Sequence, residues 1–277
     1  MDLASEIERN VATALAEDVG SGDVTAALTP GSAAVRAQVV ARQDAVLCGR
    51  AWFDGCFRRL DPAIEIGWRI EEGARASRGQ VVCELNGNAR SLLTGERTAL
   101  NFLQLLSAVA TATSRYVAAV AGTRAKIVDT RKTLPGLRAA EKYAVRVGGG
   151  VNHRMGLYDA ILLKENHIAA FGGVRPAIDT ARKSANRDIW VQVEVETLHQ
   201  LREALEGGAT MILLDNMSTD QMRDAVKIAA GRAELEASGG VTLDNVRAIA
   251  GTGVDRISIG ALTKDIEAVD FSMRFEG

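Results

Sequence analysis

After Gly122 one rhythm repeats to the end of the chain: a short apolar run, a polar or glycine-bearing break, then a helical stretch. The runs are Ile127-Val128 and residues 160–163, 190–195, 211–214, 233–237 and 256–259. Helical patterns lie between them, as at 197–207 and 219–230. Short buried strands alternating with helices predict a parallel sheet, open or closed into a barrel. The residues at the C-terminal end of each run share a character. They are Asp129 with Arg131 and Lys132, Lys164, Glu194, Asp215, Ser238-Gly239-Gly240, and Ser258 to Ala261. In a barrel these strand ends converge on one face, which carries the chemistry. The two glycine-bearing ends come last, where such a barrel holds a phosphate on backbone N–H groups and a helix N-terminus.

The first hundred or so residues read differently. Leu3, Ile7, Val11 and Leu15 mark an amphipathic helix, and the start has neither the basic nor the apolar region of a signal peptide. Alternating segments at 35–42, 64–70 and 81–85, separated by turn residues, predict a small antiparallel sheet with helices around it, one of them over 48–60. From 91 to about 121 the pattern is helical and apolar, one long helix or two stacked ones. No apolar run approaches the roughly 18 residues of a membrane span. Cys48, Cys56 and Cys83 are odd in number and lack metal spacing, which fits buried thiols in a reduced, cytoplasmic setting.

Positive charge is concentrated although the chain carries a net charge of −2. Arg131, Lys132, Arg138, Lys142, Arg146, Arg154 and Lys164 fall between Asp129 and His167, around the triplet Gly148 to Gly150. That predicts a pocket for a small polyanion. An extended nucleic-acid groove would need aromatic stacking partners, and aromatics make up 4% of the chain.

Each residue has a plainer reading too. Glycine at a strand end is most often a turn, although two such ends on the last two strands favour phosphate binding. Alternation puts Glu194 and Glu196 on one side of a strand, and a solvated edge would explain both. A buried parallel strand is apolar, however, so an inward Glu194 beside Asp215 suits Mg²⁺ together with water and phosphate oxygens. Arg138, Lys142 and Arg146 could form a solvated helical stripe, with Arg138, nearest the loop, the best candidate for the site. His153 by itself reads as a structural group. Lys164 at a strand end is also how Schiff-base aldolases are built.

Several segments resemble the quinolinate phosphoribosyltransferase family: residues 129–133 (DTRKT), 148–154 (GGGVNHR), 163–167 (LKENH) and 213–216 (LLDN). Residues 18–25, the stretch from Gly95-Glu96-Arg97 to Gln104, and 260–263 match as well, so the likeness runs nearly end to end. It implies two domains. One is an open α/β sandwich from 1–108 with 269–277, and the other an incomplete α/β barrel of about seven parallel strands from 109–268. It implies transfer of phosphoribosyl from phosphoribosyl pyrophosphate to quinolinate with decarboxylation, giving nicotinate mononucleotide, pyrophosphate and CO₂. Thr130, Arg131, Lys132, His153, Arg154 and Lys164 would line the quinolinate site, with Arg138 close by. Glu194 and Asp215 would face the ribose and Mg²⁺, and with Lys132 and Lys164 would be the catalytic residues. Ser238, Gly239, Gly240, Ser258, Ile259, Gly260 and Ala261 would hold the 5-phosphate. The family also implies a homodimer in which Arg97 reaches the neighbour's site, with assembly beyond the dimer left open. The other readings are a phosphoribosyltransferase for another pyridine acid, a Schiff-base aldolase using Lys164, and a non-catalytic polyanion sensor that would leave the acidic pair without purpose.

Overall fold

The computed structural model describes residues 2–185 and 189–276. In chain order the elements begin with α1 (Leu3–Val19), β1 (Ala34–Ala41), β2 (Ala45–Val46), α2 (Arg50–Leu60), β3 (Glu65–Trp68) and β4 (Arg75–Ala76). Next come β5 (Val81–Asn88), α3 (Ala89–Ala119), β6 (Lys126–Val128), α4 (Arg138–Val147), β7 (Ala160–Leu163) and α5 (Glu165–Ala170). The remainder is α6 (Val174–Ser184), β8 (Trp190–Val195), α7 (Leu198–Glu206), β9 (Met211–Asp215), α8 (Thr219–Ala229), β10 (Glu234–Ser238), α9 (Val246–Ala250), β11 (Arg256–Ser258), α10 (Ala261–Lys264) and β12 (Phe271–Phe275). They form two compact units. One comprises the chain up to Ser114, Thr133–Gly149 and the chain from Thr263 on; the other comprises Arg115–Lys132 and Gly150–Leu262. The helix α4 follows the first strand of the second unit along the chain but belongs to the first unit.

In the first unit β12, β1, β5 and β3 make a four-stranded antiparallel sheet, and β2 pairs with β4. The residues 91–121 give one continuous helix, α3. Its Gly95 is required by packing: a Cβ there would stand 2.8 Å from the Phe57 ring of α2. Phe53 and Phe57 meet edge to face at 5.0 Å, a favoured aromatic geometry. The buried Trp52 donates its indole N–H to Asn10 of α1 at 3.1 Å, which ties α1 to α2.

The second unit is a six-stranded parallel sheet in the order β6-β11-β10-β9-β8-β7. Where about seven strands are expected, a single parallel bridge between Val151 and Val128 prolongs the β6 edge beyond the six. Capping boxes start α7 (Thr197 with Gln200) and α8 (Ser218 with Gln221), so each helix begins where side chains take its orphan N–H groups. Pairing fixes which side chains share the inner face. Leu162 lies opposite Gln192, Glu194 opposite Leu213, Leu213 opposite Glu236, Glu236 opposite Arg256, and Asp215 opposite Ser238. Because side chains alternate along a strand, this register aims one polar set to one side.

Candidate active site

That polar set lines a cavity of about 200 Å³ in the second unit. Thr130, Arg131, Lys132, His153, Arg154, Lys164, Glu194, Ser238 and Ser258 meet there, with Leu162, Leu213 and Glu236 as part of the wall. Four cations and two carboxylates thus converge on one small space, which suits a ligand carrying several negative charges.

The charges shape one another. Lys164 Nζ lies 3.2 Å from Glu194 Oε2. Burial, with help from the charges of Asp215 and Glu165, raises the Glu194 carboxyl above its ordinary range, against the pull of Lys164. Burial and the nearby Arg131 push the Arg154 guanidinium below its usual range. Arg154 is held all the same: Nη1 donates to the Ala160 carbonyl at 3.1 Å. Lys164 is ion-paired with Glu194 rather than enclosed among apolar groups, the setting that activates a Schiff-base lysine. Glu196, expected beside Glu194, lies past the end of β8 and is exposed.

His153 is buried and embedded. Its ring packs edge to face on Trp190 at 5.0 Å. Its backbone N–H donates to Asp129 Oδ1 at 2.8 Å, and Asn152 bonds the same carboxylate. Its Nδ1 accepts the Arg154 backbone N–H at 2.8 Å, and Nε2 meets Gln192 Oε1 at 2.9 Å. Gln192 Nε2 in turn donates to Glu236 Oε2 at 3.1 Å, which also accepts Arg256 Nε at 3.1 Å. Glu236 Oε1 has no hydrogen-bond partner among the described residues and stands 3.8 Å from His153 Nε2.

The loops after β9 and β10 interlock. Asn216, at φ +54°, donates to Asp215 Oδ2 at 2.7 Å. Its side chain occupies the space a Cβ on Gly239 would need, and Gly239 itself is at φ +99°. Gly240 is left-handed as well, at φ +59°. After β11 come Ile259, Gly260 and Ala261, the last being the first residue of α10; a Cβ on Gly260 would lie 3.0 Å from Lys132 Cδ. Asp215 is half-buried at the end of β9 and is not part of the cavity lining.

Arg97 and Arg138 belong to the first unit. Arg97 is exposed on α3 and makes no hydrogen bond or ion pair among the described residues. Arg138 donates Nε to Thr133 Oγ1 at 3.0 Å. The stripe expected of Arg138, Lys142 and Arg146 does not exist, because Lys142 is 1% exposed. Gln192 and Glu236 escape the sequence reading, although an acid inside an apolar run is the very signal that singles out Glu194.

The family descriptions "Quinolinate phosphoribosyl transferase, N-terminal domain" and "Quinolinate phosphoribosyl transferase, C-terminal domain" match residues 23–107 and 109–274. A probable nicotinate-nucleotide pyrophosphorylase [carboxylating] of Bacillus subtilis is 44% identical over 257 residues, 93% of this chain and 89% of the relative. A Mycobacterium leprae nicotinate-nucleotide pyrophosphorylase [carboxylating] is 44% identical, covering 94% of each chain. The structure of the nicotinate-nucleotide pyrophosphorylase from Francisella tularensis superposes with a TM-score of 0.96 at 42% identity, over 99% of this chain and 97% of that one.

Proposed function

The chain belongs to the quinolinate phosphoribosyltransferase family, and we propose that the cavity at the strand ends of its parallel sheet is where it carries out that family's reaction. The enzyme transfers phosphoribosyl from phosphoribosyl pyrophosphate to quinolinate, releases pyrophosphate and CO₂, and yields nicotinate mononucleotide. The single observation that carries the assignment to this cavity is the convergence of Arg131, Lys132, Arg154 and Lys164 with Glu194 in one space.

The charges of the reactants explain the lining. Quinolinate is a dicarboxylate and its partner carries a phosphate and a pyrophosphate, so fixed cations must bring them together; guanidinium forks match both groups. Arg131, Lys132, Arg154 and Lys164 hold the dicarboxylate. The backbone at Ser238 to Gly240 and Ser258 to Ala261 receives the 5-phosphate. The pyridine nitrogen's lone pair forms the bond to ribose C1 as the bond from C1 to the pyrophosphate oxygen breaks. C1 passes through an oxocarbenium-like state, which the negative charge of Glu194 or Asp215 stabilises. Decarboxylation follows transfer. Loss of CO₂ leaves an electron pair on C2, which a cationic ring nitrogen stabilises and a neutral one does not. Solvent then protonates C2. The protein's part in this step is orientation.

Mg²⁺ fits the acidic pair. Among the described residues there is no cluster of three or more metal-ligating side chains, but Mg²⁺ is held by one or two carboxylates with substrate phosphates. After burial, the charge of Asp215 is a further cause that raises the Glu194 carboxyl, and a divalent cation held there would offset that effect. Glu194 and Asp215 would hold it, and the bound ion would neutralise the departing pyrophosphate. We place the enzyme in the cytoplasm, supported by three free, buried cysteines and by the lack, among the described residues, of a helix long and apolar enough to cross a membrane. We further assign it a homodimeric state in which Arg97 serves the neighbour's site, supported by that residue's exposure and its lack of a hydrogen bond or ion pair among the described residues.

The test is incubation with quinolinate, phosphoribosyl pyrophosphate and Mg²⁺, following nicotinate mononucleotide and pyrophosphate. Glu194→Gln and Asp215→Asn should slow turnover and flatten the Mg²⁺ dependence while quinolinate affinity changes little. If both variants keep the parent's Mg²⁺ response, the carboxylates do not serve the metal.

A further inference from the structure

The buried amide of Gln192 has its orientation dictated from one side and dictates the orientation of a neighbour on the other. Glu236 accepts from Arg256, and a carboxylate offers no donor, so the Gln192 amide must turn its NH₂ to Glu236 and its carbonyl to His153. That carbonyl requires a proton on His153 Nε2, which leaves the Nδ1 lone pair to accept the Arg154 backbone N–H. Gln192 and Glu236 are each 0% exposed, so bulk solvent does not reach these bonds. The relay therefore starts on β11, crosses β10 and β8, and ends on the backbone of a site arginine whose far end is tied to Ala160.

The geometry points to Gln192 and Glu236 as positioning residues for the dicarboxylate subsite: they fix His153 as the neutral Nε2–H tautomer, and the ring then aims Arg154. This rests on the reading of the cavity given above. It also assigns His153 a role, that of a neutral bracket with both ring nitrogens committed to the protein rather than a cation or proton donor toward substrate. Without Gln192 the Nε2 proton is left facing Glu236 Oε1, 3.8 Å away. Reaching it requires the ring to move, and the Arg154 backbone is bonded to that ring.

Four variants test this: Gln192→Ala, Gln192→Glu, Glu236→Gln and the double variant Gln192→Glu with Glu236→Gln. For each, KM for quinolinate, KM for phosphoribosyl pyrophosphate and Tm are measured, and rates are referred to the folded fraction. Gln192→Ala should raise KM for quinolinate about 10-fold, the lower range for losing a supporting residue, and leave the other KM nearly unchanged. Gln192→Glu sets two carboxylates face to face and should cost about 100-fold. Glu236→Gln keeps an acceptor for both donors and should be the mildest. The double variant reverses the relay without breaking it. The carboxylate introduced on β8 would accept from His153 and from the amide introduced on β10, and the carbonyl of that amide would accept from Arg256. It should return KM for quinolinate to within about threefold of the parent, a non-additivity expected only of directly coupled residues. A folded Gln192→Ala with normal KM for quinolinate, both KM values rising together, or a double variant no better than Gln192→Glu would each overturn the proposal. Imidazole ¹⁵N shifts of the unliganded parent need no substrate and should show Nδ1 unprotonated and Nε2 protonated. The opposite tautomer would also overturn it. The expected shifts in an enzyme that fails to use quinolinate would instead count against the functional reading and leave the relay standing.

Discussion

Arg131 and Arg154 repel each other. The shifted Arg154 guanidinium is the sign of it, with burial as the larger cause. On the proposed reading these residues serve the substrate, and in the empty site each carries the other's repulsion. Replacing Arg131, Arg154 or Lys164 by Ala should therefore cost roughly 2–5 kcal/mol in kcat/KM, the range for removing one partner of a desolvated charge pair. Removing either arginine should leave Tm unchanged or slightly higher. Steady-state kinetics beside thermal unfolding checks both halves, and near-normal kcat/KM in all three variants would remove these residues from the site. The cations were legible in the sequence because a charge that closes an apolar run stands where burial would otherwise forbid it, and Glu194 because it sits near the C-terminal end of its run. Gln192 and Glu236 were hidden because they stand inside their strands, where sequence alternation identifies a face but not the polar partner that makes a buried amide tolerable.

At the scale of elements, the loop of Thr133 to Leu137 depends on α4. Both carboxylate oxygens of Glu141 accept the Leu134 N–H, at 3.3 and 3.2 Å, and burial drives this carboxyl up from its ordinary 4.5 to about 8. Between those values the folded chain holds a proton that the unfolded chain has released. The stability tied to this group is full below about pH 4.5 and is lost as pH rises through about 8, at up to ~1.4 kcal/mol per unit. Glu141→Gln should remove that slope and gain on the parent in unfolding midpoint from pH 5 to 9; parallel curves would show that Glu141 titrates normally. The strands themselves were legible because a buried parallel strand is a short apolar run whatever surrounds it. The allegiance of α4 was not, since local periodicity marks a buried face without naming the unit it packs on. Lys142 illustrates the point: its spacing from Arg138 and Arg146 suggests a solvated stripe, yet it is buried.

The whole molecule raises the question of how many chains complete a site. Arg97→Ala and Lys164→Ala should each cut activity to about 3% of the parent's or less. If Arg97 serves the neighbour, mixing the two impaired proteins, after confirmed subunit exchange, puts both lesions in one site of a mixed dimer and leaves the other site intact. Equal mixing makes about half the dimers mixed, so activity should return to roughly a quarter of the parent's under two-fold symmetry. If Arg97 serves its own subunit, every site carries a lesion and nothing returns.

The three cysteines open a practical route to watching the site. Cys48, Cys56 and Cys83 are each 0% exposed, and burial pushes their thiols up, that of Cys56 to about 12. A maleimide reacts with thiolate and needs access, so at neutral pH the native chain should take up almost no label. Tyr158 is 66% exposed in the loop that follows Arg154. Tyr158→Cys would therefore give the chain a single addressable thiol, and mass spectrometry should find one fluorophore on the variant and none on the parent. A dye at that point would report on the loop that follows Arg154 in the cavity wall, in an enzyme that keeps all its native cysteines.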